Sequence, residues 1–119
     1  MTGLKSKSKG DIGEQMATQF LEHEGCRILQ RNYRYDRGEI DIVAEDRTEL
    51  VFVEVKSRHT RTHGSPEEAV TPEKEQYLKR TAEGYLLEHG MEGRLCRFDL
   101  VAIDWHGEQA DVRHFKSIF

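Results

Sequence analysis

No apolar run in this 119-residue sequence approaches the ~20 residues needed to cross a bilayer. The opening stretch, MTGLKSKSKG, also lacks the apolar segment of an export signal. Together these absences predict a soluble, cytoplasmic protein with no membrane partner. Cysteine is scarce: Cys26 and Cys96 stand far apart, without CxxC spacing. Reduced thiols are therefore expected, not a disulfide or a zinc site. Hydrophobic residues make up 36% of the chain and charged residues 34%, which predicts one small core under a heavily charged surface.

Overall basicity is missing too, since the net charge is -4. Its distribution is uneven. Residues 1–63 carry 11 Lys+Arg and 11 Asp+Glu, whereas residues 64–119 carry 7 and 11. Positive charge gathers at Lys5, Lys7 and Lys9, at Arg27, Arg31, Arg34 and Arg37, and at Arg58 and Arg61. Such clusters attract phosphate whatever the net charge.

Residues 1–9 read as a flexible basic tail and residues 10–119 as a single domain. A helix is expected from Asp11 to Glu24, with Ile12, Met16, Phe20 and Leu21 on one face, Asp11 as cap and Gly25 at C′. Cys26 to Tyr35 reads as a strand. Glu39 to Ala44 and Leu50 to Ser57 read as a hairpin around Glu45-Asp46-Arg47-Thr48. His59 to Thr71 is polar and reads as a mobile loop, within which Ser65-Pro66-Glu67-Glu68 resembles a capped turn. Thr71-Pro72 should open a second helix, ending near Gly90 and burying Tyr77, Leu78, Ala82, Tyr85 and Leu86. Strands at Leu95 to Asp104 and Ala110 to Phe115 come next, joined by Trp105-His106-Gly107-Glu108. The order αβββαββ predicts an α/β fold, a sheet with helices packed on it in two or three layers.

Within the hairpin, Asp41, Glu54 and Lys56 interrupt otherwise apolar strands. Strict alternation puts Glu39, Asp41 and Val43 on one face and Ile40 and Ile42 on the other. Along the next strand Phe52, Glu54 and Lys56 share a face, opposite Val51, Val53 and Val55. A register that pairs the charged ends would bring Asp41, Glu54 and Lys56 to one spot. Two carboxylates there repel unless a proton or a cation joins them. Oxygen ligands with few histidines favour Mg²⁺ or Mn²⁺, and a neighbouring lysine suits phosphodiester hydrolysis. A lone carboxylate would instead read as a surface ion pair.

Asp41 followed by Glu54-Val55-Lys56 resembles the D…ExK core of the PD-(D/E)xK nuclease superfamily, with Ile40 where proline often stands. The stretches GDIGEQMATQFLEHEGCRILQRNYR, GEIDIVA, VFVEVKSR and CRFDLVAI resemble the bacterial YraN-like family, itself similar to archaeal Holliday-junction resolvases. The resemblance implies a restriction-endonuclease-like αβββαβ core with a mixed central sheet. It also implies a Mg²⁺- or Mn²⁺-dependent endonuclease acting on DNA, with branched DNA as a candidate substrate, and a possible homodimer. Asp41, Glu54 and Lys56 would be catalytic, and Glu14, Asp41, Glu54 and the Val55 carbonyl would bind metal. Arg58, Arg61, Lys74 and Gln76 would contact nucleic acid. Asp11-Ile12-Gly13-Glu14 also has capping-box spacing, which offers Glu14 a purely structural role. A non-catalytic nucleic-acid-binding module, or a subunit of a DNA-processing assembly, is the competing reading.

Overall fold

A computed structural model of the chain describes residues 9–59 and 70–119. Its elements are α1 (Lys9–His23), β1 (Arg27–Tyr35), β2 (Gly38–Asp46), β3 (Glu49–Arg58), α2 (Pro72–Glu88), β4 (Cys96–His106) and β5 (Gln109–Phe115). This order contains the expected αβββαβ core, with β5 added at one edge. The sheet order is β1-β2-β3-β4-β5. β3 and β4 are parallel and the other neighbours antiparallel, so the sheet is mixed. Among the described residues, no helix is long and apolar enough to cross a membrane.

The helices lie on opposite faces, which selects three layers over two. On one face Ala17 and Leu21 of α1 join Ile42, Val51, Val53, Val101, Ile103 and Trp105. On the other, Leu78, Ala82 and Tyr85 of α2 join Tyr33, Ile40, Val43, Leu50 and Phe52. Cys26 belongs to the first cluster and Cys96 packs against the second. The sheet therefore separates the two thiols, and both are free.

Helix ends obey local chemistry. α1 closes with the Cys26 N–H bonded to the Leu21 carbonyl and the Gly25 N–H to the Glu22 carbonyl, with Gly25 at φ 100°. That is the two-bond stop in which a left-handed C′ glycine satisfies the last carbonyls. Thr71 caps α2 by accepting from the Lys74 N–H, and Pro72 occupies the first helical turn. α1 starts at Lys9, two residues earlier than expected, so Asp11 lies inside the first turn and is not its cap.

Strand bounds run beyond the sequence expectation where turns are tighter. Asp46 pairs with Glu49 and His106 with Gln109, leaving only Arg47-Thr48 and Gly107-Glu108 as turn residues. Trp105, expected in a turn, is a core residue. Tyr77, expected in the core, is 37% exposed, and its hydroxyl accepts from the Glu39 N–H at 3.0 Å. Two glycines bring α2 close to the sheet. A Cβ on Gly84 would enter the Tyr35 ring, and one on Gly38 would collide with the Thr81 hydroxyl.

Candidate active site

Strict alternation fails at Asp41. Ile40 faces α2 together with Val43, whereas Ile42 faces α1. The slip is matched across the strand pair: Arg31 lies opposite Ile42 and Tyr33 opposite Ile40, with Asn32 between them at φ 55°. A left-handed residue in a strand rotates the residues after it, and Asn tolerates that conformation better than most residues. The expectation that Ile40 and Ile42 share a face is thereby corrected. Asp41 sits in the slip.

The ladder between β2 and β3 runs from Asp46↔Glu49 to Ile42↔Val53. Beyond that point the Asp41 carboxylate accepts the Val55 N–H at 2.8 Å. The N–H and C=O of a strand residue point the same way, so the Val55 carbonyl is also directed toward Asp41. Burial pushes the Asp41 carboxyl up, and the nearby charges of Glu54, Glu14 and Glu39 push it further, to about 7, against the Val55 hydrogen bond. The acidic charges that raise it come from α1, β2 and β3.

The other acids have partners. Glu54, on the α2 face, meets Lys74 Nζ at 3.1 Å. Glu14 meets Arg31 Nη2 at 3.1 Å, and because α1 begins at Lys9 it does not stand three residues after the helix cap. Gly13 lets this end of α1 press onto Ser57 of β3, where a Cβ would touch the serine side chain. Lys56 is exposed and, among the described residues, forms no ion pair. No three His, Cys, Asp or Glu side chains among the described residues are gathered closely enough to form a metal-binding group. Asp41, a partly buried carboxyl with acids around it, is the type of oxygen donor a hard divalent cation takes. The carboxylates are nonetheless spread, and two of them are neutralised by Lys74 and Arg31.

The expected nucleic-acid contacts divide. Gln76 is exposed on α2, and Lys74 is engaged with Glu54. Arg58 is not a free surface cation, since its Nε donates to Asp104 Oδ1 at 2.9 Å. Arg61 lies outside the described residues, as do Lys5, Lys7 and the turn at Ser65-Pro66-Glu67-Glu68. The arginines of β1 are answered one by one: Arg27 by Glu45, Arg31 by Glu14 and Arg34 by Glu39.

Sequence reasoning passed over Asp99 and Asp104, which interrupt the apolar run of β4 just as Asp41 and Glu54 interrupt theirs. Asp99 is fully buried and accepts from Arg97 Nε at 3.0 Å and from the Ser117 N–H at 3.0 Å, with His114 Nε2 at 2.8 Å. It holds the C-terminal segment to the sheet.

A model of the family described as Uncharacterised protein family UPF0102 matches residues 13–103, a span that includes Glu14, Asp41, Glu54 and Lys56. The chain belongs to this family. A UPF0102 protein of Moorella thermoacetica is 47% identical over 97% of this chain and 95% of its own length. Another, from Syntrophotalea carbinolica, is 42% identical over 94% of this chain and 91% of its own. Among solved structures, SfsA of Pyrococcus furiosus in complex with Ca²⁺ is similar at a TM-score of 0.38 and 17% identity. That likeness covers 91% of the UPF0102 chain and 62% of SfsA.

Proposed function

We propose that this protein is a metal-dependent endonuclease that hydrolyses phosphodiesters in DNA, with branched or otherwise structured duplex as its substrate. The observation that carries the reading is Asp41: a carboxyl at the mouth of the β2–β3 gap, raised to about 7 by burial and by the acids around it. Asp41 and Glu54 would hold Mg²⁺ or Mn²⁺, with Glu14 and the Val55 carbonyl assisting. When bound, such an ion supplies Lewis acidity toward the scissile phosphate and a water of lowered pKa. Lys56 lies two residues beyond Glu54 along β3 and is exposed, so its ammonium is available to orient the attacking water or a phosphate oxygen. The Lys74 ammonium pairs with Glu54 at 3.1 Å and would turn to substrate phosphate with an ion on Glu54.

A second reading has an observation of its own. Glu54 paired with Lys74 and Glu14 paired with Arg31 is also the arrangement of a domain that recognises nucleic acid without cutting it. Incubation with Mg²⁺ or Mn²⁺ and plasmid, flap or four-way-junction DNA separates the two. Cleavage by the wild type that is lost in Asp41→Asn and Lys56→Ala supports the nuclease. Binding to the junction with no product from any of the three proteins supports the non-cutting module.

A further inference from the structure

Asp104 is only 5% exposed, yet two cations of different strands converge on it. Arg58 Nε of β3 reaches its Oδ1 at 2.9 Å, and Arg113 Nη2 of β5 reaches its Oδ2 at 2.6 Å. The register explains the meeting, because Arg58 lies directly beside Asp104 and Arg113 pairs with Ala102 on the same strand. Burial pushes the Asp104 carboxyl up, but the hydrogen bonds from the two arginines outweigh that and hold it below its ordinary value. One carboxylate thus fixes two guanidinium groups and neutralises one of them.

Alternation places Lys56, Arg58, Asp104 and Arg113 on the same face as Glu54. Each guanidinium presents one N–H to Asp104 in these contacts and has further donors. Arg113 is 47% exposed and rests over the Phe115 ring. Asp111, opposite Asp104 in the β4–β5 ladder, meets His106 Nε2 at 3.0 Å. A comparable pair of arginines, Arg27 and Arg94, meets Glu45 at the opposite end of β2, far along the sheet from Asp41.

We infer that the Arg58–Asp104–Arg113 triad, continued by Lys56, is a docking surface for the phosphate backbone of double-helical nucleic acid, leading from the candidate active site across β4 to β5. The choice of partner rests on the nuclease reading, and so does the inference. The physical argument is preorganisation: planar guanidinium groups match phosphate geometry, and a buried carboxylate that holds two of them lowers the ordering cost of binding. Asp104 is a positioning residue, touching the arginines and not the nucleic acid.

The test is fluorescence-anisotropy binding of the full chain to a four-way junction and to DNA and RNA duplexes of matched sequence, in EDTA so that no cleavage intervenes. Arg113→Gln should weaken binding several-fold and flatten the logarithmic salt dependence by about 1. Arg113→Lys should recover the slope but only part of the affinity. Arg27→Gln removes the same charge at the far end and should change neither. Asp104→Asn, with folding checked by circular dichroism, should weaken binding even though it removes an anion. Equal effects of Arg113→Gln and Arg27→Gln would reduce the surface to net charge and overturn the inference while leaving the nuclease reading standing. Tighter binding by Asp104→Asn would overturn the positioning role. An equal Arg113 dependence on DNA and RNA supports a backbone surface, and dependence on RNA alone would overturn the DNA assignment of the nuclease reading. No binding by the wild type to any of the three would overturn both.

Discussion

The Asp41 carboxylate binds the Val55 N–H across the gap where β2 and β3 stop pairing. A side chain thus takes a role that a strand carbonyl would fill in a continuous ladder, and the same contact aims Asp41 at the residue between Glu54 and Lys56. The strand slip and the acidic site are one feature. Asn32 at φ 55° turns β1 just where β2 must turn to bring Asp41 into the gap.

Metal should stabilise the fold through Asp41. If Mn²⁺ or Mg²⁺ binds only the folded state, as the proposed site requires, about 100-fold excess over Kd would add about 2.7 kcal/mol. The melting temperature of the wild type should therefore rise by several degrees, and Asp41→Asn should lose most of that rise. An equal rise in both proteins would put the ion elsewhere.

Lys74 should compete with the ion for Glu54, which it meets at 3.1 Å. Lys74→Gln removes the competitor and should tighten Mn²⁺ binding, read by calorimetry, while weakening DNA binding. Loss of metal affinity in Lys74→Gln would contradict the exchange.

The pH dependence originates at Asp41. Its carboxyl ordinarily titrates at 3.8, and burial together with Glu54 raises it to about 7 in the folded state. Between these values the folded state binds more protons than the unfolded one, so stability falls as pH rises. Asp41→Asn keeps an acceptor for Val55 and removes that penalty. In EDTA the variant should melt above the wild type at about pH 8 and match it near pH 4. A metal held by Asp41 should show the opposite trend, binding more tightly through neutrality as Asp41 loses its proton. A melting difference that does not vary with pH would place the Asp41 carboxyl at its ordinary value.

Two packing variants probe how α2 and the C-terminal segment are held to the sheet. Gly84→Ala should destabilise by about 1–3 kcal/mol, because its methyl would enter the Tyr35 ring. Asp99→Ala should cost about 1–3 kcal/mol by leaving Arg97 Nε and the Ser117 N–H without their acceptor, while Arg97 keeps Asp46 and Glu49. Urea unfolding measures both, and a change below ~0.5 kcal/mol in either would refute its packing argument.

Much of the fold was legible because its signals are local. Gly25 at C′, Thr71-Pro72 at the start of α2 and the apolar runs of β2 and β3 each act through neighbours a few residues away. Asp41, Glu54 and Lys56 stood out as candidates for an equally local reason, since charge inside an apolar strand is an anomaly. The tertiary structure alone decided the rest. Whether Ile40 and Ile42 share a face depends on a left-handed Asn32 in another strand. Tyr77 left the core because its hydroxyl reaches the turn between β1 and β2. Arg58 carries no local sign that Asp104, 46 residues away, will claim it. Periodicity constrains what a residue does within its own strand or helix. Which charge meets which is settled by register between strands distant in sequence, where the long-range contacts form.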